Sequence, residues 1–157
     1  MFDLYTCLTF MGEPVTFVSE KMLREGRAPE VGWIALPRAT HVEDGTVAAL
    51  DRFASAGGRI LRVGEGNLGF DQYHRARPDL PPALAQGPAL PSVKADPASR
   101  QALSDVLVAG GLDMVEVRDA VTGEPAWNVE YRTVDYDGAA LVPVISFDKE
   151  PVSVRFP

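Results

Sequence analysis

The sequence is poor in several things, and each shortage narrows the field. It has a single cysteine, Cys7, which rules out an intrachain disulfide and any multi-cysteine metal site. It has two histidines, His41 and His74, with no ligand spacing around them, so no metal and no cofactor are expected. No apolar run is long enough to span a bilayer. Positive charge is short: 15 Lys and Arg face 22 Asp and Glu, for a formal net charge of −7. A nucleic-acid partner calls for a basic patch, and an anionic membrane surface calls for the same, so neither is expected. Met1-Phe2-Asp3-Leu4 carries no basic stretch ahead of an apolar one; no signal peptide is expected, and the default compartment is cytoplasmic. What remains, 157 residues at 46% hydrophobic and 24% charged, suits one ordinary domain or one domain with a small appendage.

The pattern along the chain alternates between helix and strand. Leu4, Leu8 and Met11 recur at helical spacing, and Gly12 follows as a stop, which predicts a helix over 3–12 with Cys7 on or near its buried side. Val15-Thr16-Phe17-Val18-Ser19 is β-branched and aromatic and reads as a strand. Glu20 to Glu25 makes about one helical turn, closed by Gly26. Val31 to Leu36 is nearly continuous in apolar residues, as in a strand covered on both faces. Asp44 is placed to cap a helix whose stripe is Val47, Leu50, Phe53 and Ala54, ended by Gly57-Gly58. Arg59 to Val63 is the next strand, and strand–helix–strand order implies a parallel βαβ unit.

The texture then changes twice. Six prolines fall between Arg77 and Pro97, which predicts an irregular surface segment over roughly 76–97. Asp96-Pro97 opens another helix, with Leu103, Val106 and Leu107 on its buried face and Gly110-Gly111 at its end. Beyond it Trp127 to Tyr136 alternates, Asp137-Gly138 signals a two-residue hairpin, Leu141 to Phe147 returns, and Val152, Val154 and Phe156 alternate again. The fold expected is α/β, a flavodoxin-like three-layer parallel sheet over 1–111, followed by an antiparallel β meander over 112–157.

Candidate chemistry is thin. The loop Pro37-Arg38-Ala39-Thr40-His41 follows a strand, where α/β enzymes often place a nucleophile. It offers no Ser, Cys or carboxylate and no G-x-S-x-G, and Thr40 beside His41 is adjacent in sequence without thereby being a hydrogen-bonded pair. Gly64-Glu65-Gly66-Asn67-Leu68-Gly69 fits G-x-G-x-x-G, but proline-rich chain follows where a dinucleotide site needs a helix. Asp71, Tyr73, His74, Arg75 and Arg77 form the densest polar and aromatic cluster; they suit a sugar or anion, but the reading favoured from the residues is an Arg–Asp surface network that pins the long loop. Glu20 and Glu65, both near strand ends, are an acid–base pair only if the fold brings them together. Trp33 reads as core, Trp127 and Tyr73 as more accessible, and Cys7 as packing.

Three stretches together carry a resemblance: "GEPVTFVSEKMLREG" (12–26), "VGWIALPRATHVEDGTVAALDRFASAGGRIL" (31–61) and "GEGNLGFDQYHRARP" (64–78). They resemble the class I glutamine-amidotransferase-like domain of bacterial glycoside hydrolases, of the β-galactosidase trimerisation type found in glycoside hydrolase family forty-two. The tail, "WNVEYRTVDYDGAALVPVISFDKEPVSVRF" (127–156), is similar to the small β domain that ends such chains. The resemblance implies an oligomerisation or scaffold domain, without catalysis of its own, that belongs to or works with a glycoside hydrolase in carbohydrate metabolism. No cysteine lies near Ala39, so amidotransferase chemistry is not implied, and no (β/α)₈ barrel fits the length. The family domain opens with a strand before its first helix, whereas this sequence opens inside that helix; a chain so placed is expected to be part of a larger enzyme, or a stand-alone relative with a sheet edge asking for a partner. The partners implied are a second copy of the chain or a glycoside hydrolase catalytic domain, with a carbohydrate as ligand. The residues expected to meet a sugar are Arg38, His41, Asp71, Tyr73, His74 and Arg75, which follow the C-terminal ends of the parallel strands. The competing readings are a small hydrolase using Glu20, Glu65 or His41, and a carbohydrate-binding module built on Trp33, Trp127 or Tyr73.

Overall fold

The computed structural model describes residues 1–157 as two compact units. One is Thr16–Val93; the other joins Met1–Val15 to Lys94–Pro157. This division departs from the boundary after residue 111. The helix α1 (Phe2–Thr9) and the later helix α5 (Pro97–Ala109) belong to the unit that holds the antiparallel strands, because α1 packs beside α5.

The unit Thr16–Val93 opens within the stretch 15–19, which pairs with no strand, contrary to its β-branched composition. Ser19 is extended and caps α2 (Glu20–Arg24), its hydroxyl accepting the Met22 N–H at 3.2 Å. β1 (Trp33–Pro37), α3 (Asp44–Ser55), β2 (Arg59–Val63), α4 (Pro82–Ala85) and β3 (Ala89–Leu90) follow. β1, β2 and β3 form a parallel sheet in that order, with Ile34 opposite Ile60 and Arg62 opposite Ala89. The unit is therefore mixed α/β around a three-stranded parallel sheet.

Two expectations fail here for physical reasons. β1 is not covered evenly: Ile34 and Leu36 are buried, while Trp33, Ala35 and Pro37 on the other face are half-buried. The proline-rich segment is not irregular throughout. Pro82 occupies the first turn of α4, where its missing N–H is harmless, and the prolines flanking Ala89–Leu90 are tolerable because β3 is an edge strand. β3 is tied in by Arg62 N–H to the Pro88 carbonyl (3.0 Å) and Gly64 N–H to the Leu90 carbonyl (2.8 Å).

The core of this unit is Ile34, Leu36, Val42, Val47, Leu50, Ile60, Leu68 and Leu84. Truncating a fully buried leucine such as Leu50 costs about 2–5 kcal/mol in comparable cores. The paired glycines after α3 act differently: Gly57 takes φ +98°, while a Cβ on Gly58 would stand 2.4 Å from the Phe53 ring. The cap of α3 is also not the expected one. Glu43 occupies the N-cap position without a side-chain bond, and Asp44 lies inside the first turn. Glu20 reaches in from α2 instead, accepting the Glu43 N–H (3.3 Å) and the Thr46 hydroxyl (2.8 Å).

The other unit contains α1, α5 and the strands β4 (Arg118–Asp119), β5 (Val129–Tyr131), β6 (Val134–Tyr136), β7 (Ala139–Leu141), β8 (Val144–Ser146) and β9 (Val154–Arg155). α5 starts as its sequence predicts, with Pro97 in the first turn and the Asp96 carboxylate accepting the Ser99 N–H at 2.7 Å. The expected hairpin around Asp137-Gly138 forms, but the third strand of the expected meander does not join it. β5 pairs with β8 and β6 with β7, in one unbroken register: Val129 faces Ser146, Tyr131 faces Val144, Val134 faces Leu141. They are two pieces of one long hairpin, interrupted where Pro143 has no N–H to give. Asp137 (φ 50°) and Gly138 (φ 76°) close it as a type I′ turn. β9 does not extend this hairpin; it pairs antiparallel with β4. Val117, Ala126, Val129 and Tyr131 form the small core beneath.

Candidate functional site

The polar residues singled out from sequence gather where the loops after β1 and β2 meet. The meeting is built on backbone: His41 and Phe70 bridge as parallel neighbours, and Phe70 bridges Ala76 across the second loop. Asn67 is the hub. It is 9% exposed, its side-chain oxygen accepts the Ala39 N–H at 2.7 Å, and its amide donates to the Val63 (3.1 Å) and Gly64 (2.8 Å) carbonyls. The G-x-G-x-x-G stretch is thus a brace between loops and opens no helix. Gly64 adopts φ +88° beneath Arg38, whose Cγ would lie 2.6 Å from an added Cβ.

Arg77 is the second brace. Its guanidinium donates to the carbonyls of Leu68 (2.7 Å), Phe70 (3.2 Å) and Val42 (2.9 Å) and to the Asp44 carboxylate (2.6 Å). The Arg–Asp network foreseen as the structural reading of this cluster therefore exists, with Asp44 as its acid. Asp71 is also structural: its carboxylate accepts the Tyr73 and Arg75 N–H groups, each at 2.8 Å. Those bonds, the Arg75 one first, hold its carboxyl below the ordinary range.

On this frame sit the exposed groups. His41 Nε2 and His74 Nδ1 are 2.6 Å apart, and His41 Nδ1 is 3.0 Å from the Thr40 hydroxyl. Adjacency of Thr40 and His41 does produce a hydrogen bond, against the sequence reading. The imidazoles meet edge to edge, and Phe70 lies parallel to both, with centroids 5.1 Å from His41 and 4.7 Å from His74. One imidazole must donate and the other accept, so the pair shares a single bridging proton. Arg75 lies over the Tyr73 ring at 5.3 Å, and Tyr73 is 70% exposed.

Of the six expected residues, His41 and His74 are joined, Tyr73 and Arg75 are stacked, Asp71 holds their loop, and Arg38 covers Gly64. Phe70, Thr40 and Asn67 complete the site and were not singled out. An asparagine between turn glycines was the available signal, since its amide imitates a backbone bond. The arrangement offers aromatic faces, hydrogen-bonding rings and a cation, all suited to a hydroxylated ligand. Glu20 is occupied in capping α3, so it forms no acid–base pair with the exposed Glu65. Trp33 and Trp127 are half-buried, Trp127 edge-on to Phe10 at 5.1 Å, so neither is an open stacking platform. No group of three or more His, Cys, Asp or Glu is placed to hold a metal ion, and no helix is long and apolar enough to cross a membrane.

Comparison of the sequence with protein families and with curated proteins finds no match. Among solved structures, the chain is similar to apo exo-carrageenase GH42 from Bacteroides ovatus, with a TM-score of 0.69 at 17% identity. The similarity covers 99% of this chain and 21% of that one, so the chain spans about a fifth of that enzyme's length. At this identity the likeness is one of fold: all but a sliver of this chain has the architecture of one portion of a glycoside hydrolase.

Proposed function

We propose that this chain is a non-catalytic scaffold and oligomerisation domain that belongs to, or works with, a glycoside hydrolase related to family forty-two. The observation that carries the reading is the extent of the fold match: nearly the whole chain corresponds to a fifth of a sugar-cleaving enzyme. Of the groups a small hydrolase would employ, Glu20 is engaged in holding α3 and His41 is bonded to Thr40 and His74, while Glu65 stands exposed apart from that pair. In this reading the parallel sheet is the centre of a flavodoxin-like layered unit, and the loops carrying Arg38, His41, Tyr73, His74 and Arg75 help shape a sugar site at an interface.

The long hairpin supports a partner. All six residues of β6 and β7 are exposed, with Tyr136 at 68% and Leu141 at 51%, and Ile145 and Phe147 extend the apolar strip along β8 and beyond. An isolated two-stranded hairpin is marginal in water, and a strip of this kind marks an association surface. In this reading it is covered by a second copy of the chain or by the catalytic domain. Light scattering on the purified chain tests the first arm, and co-purification with a family forty-two catalytic domain tests the second. Association in either arm supports the reading. A chain that is monomeric in both, or that alone releases reducing sugar from a galactoside, overturns it.

A further inference from the structure

The unit built on α1, α5 and the hairpin contains a cavity of about 430 Å³, lined by none of the residues of the loop cluster described above. Arg100, Tyr131, Met11, Met114, Ser104 and Glu116 are among its walls. Arg100 is the unusual member. It projects from α5 in series with Leu103 and Leu107, on the buried face of the helix, and is only 5% exposed. Its Nε finds no hydrogen-bond partner in the chain. Its guanidinium shares a hydrogen bond with the Tyr131 hydroxyl, and Glu116, whose charge also acts on it, is paired with Arg118. Burial pushes the guanidinium below its ordinary value, and the Tyr131 ring beside it is fixed, its hydroxyl donating to the Val115 carbonyl at 2.7 Å.

A buried guanidinium with an N–H left unbonded is satisfied by an anion in bonding reach. A guanidinium fork fits an oxyanion with two oxygens side by side, which carboxylates and sulfate esters both present. Met11, Met114 and the Tyr131 ring supply apolar walls of the kind that pack against the C–H faces of a sugar, and Ser104 and Glu116 supply groups for hydroxyls. The volume lies within the range of small-molecule sites.

We propose that this cavity binds an acidic monosaccharide, with its carboxylate or sulfate ester on Arg100. The test is calorimetric titration of the full chain with glucuronate, galactose 6-sulfate, galactose and sodium sulfate at equal ionic strength. The expected result is that at least one acidic sugar binds tenfold or more tighter than galactose and than sodium sulfate; which one responds separates carboxylate from sulfate ester. Ser104→Phe fills the cavity while leaving Arg100 in place and should abolish that binding. If circular dichroism shows Ser104→Phe unfolded, Ala98→Trp on the same wall but at an exposed position replaces it. Equal binding of galactose, equal binding of sodium sulfate, no binding, or binding that survives the filled cavity overturns the proposal. None of these outcomes depends on the assembly reading, which rests on different surfaces.

Discussion

Raising the pH should unfold this protein's α1–α5 unit through one atom. Cys7 is fully buried, and its thiol donates to the Lys94 carbonyl at 3.2 Å. Burial, the largest influence, pushes the thiol from 9.0 up to about 11. A group whose value is raised on folding contributes its full stability below the unfolded value and loses it as pH climbs toward the folded one. Here the loss runs between about pH 9 and 11, because the unfolded chain ionises first. At about 1.4 kcal/mol per unit, those two units amount to roughly 2–3 kcal/mol. Cys7→Ala has no such slope. At pH 7 it is weaker than the wild type by about 1–2 kcal/mol, from the lost sulfur packing and hydrogen bond. Its deficit should shrink above pH 9 and reverse by pH 11. Guanidinium titrations of both proteins at intervals from pH 7 to 11 measure this. A Trp33→Phe background leaves Trp127, in the same unit as Cys7, as the sole tryptophan reporter. A constant gap between the two proteins across that range would refute the argument that the thiol is desolvated. The native thiol should also resist Ellman's reagent at pH 8 on the time scale in which the unfolded chain reacts at once.

Asn67→Ala leaves the Ala39 N–H without its partner and removes one bond each from the Gly64 carbonyl and the Val63 carbonyl, which keeps the Arg38 N–H; denaturant titration should show a loss of about 2–3 kcal/mol, and amide exchange should speed up in 38–41 and 64–70. Gly12→Ala places a Cβ 2.4 Å from the Tyr131 ring at φ +79°, and since Tyr131 is anchored at its hydroxyl, melting should show a cost of at least about 2 kcal/mol. Tyr136→Ser with Leu141→Ser changes only exposed side chains, so the isolated chain should keep its melting temperature within about 0.5 kcal/mol equivalent while any association seen by light scattering weakens at least tenfold.

The parts of the fold that were legible are those in which local chemistry and burial agree. The α3 stripe, the Asp96–Pro97 helix start and the Asp137-Gly138 turn each combine a periodic apolar face or a required φ with the residue that supplies it. The illegible parts depend on partners distant in sequence. Val15–Ser19 has strand composition but no strand beside it. Ala89–Leu90 has a poor local pattern, yet Arg62 and Gly64 recruit it into the sheet. The hairpin around Asp137-Gly138 reads as two continuous strands and only the pairing shows its break at Pro143, while the last strand reads as a third member of a meander although β9 finds its partner in β4, far back in the chain. For the candidate site, position after the parallel strands pointed to these two loops and composition to an Arg–Asp network pinning one of them, but the pairing of Arg77 with Asp44 and the meeting of His41 with His74 depend on contacts more than thirty residues apart. Arg100 had a signal that went unused: a cation spaced three and seven residues from Leu103 and Leu107 lies on the buried face of its own helix.

A fold match at 17% identity transmits backbone and little else, so the functional argument must pass through which side chains are left unemployed. A catalytic carboxylate needs to be free to gain or lose a proton beside the substrate. Glu20 caps α3, Asp44 neutralises Arg77, Asp71 closes its own loop and Asp96 caps α5. Each would have to abandon a structural bond to do chemistry. Glu65 is exposed and carries no such duty; besides it the side chains left open are exposed imidazoles and a tyrosine–arginine stack on one unit and an apolar strip on the other. Rings, cations and apolar strips are groups by which proteins recognise and adhere. The proposed scaffold role requires association, so the assembly state is the measurement that decides that reading.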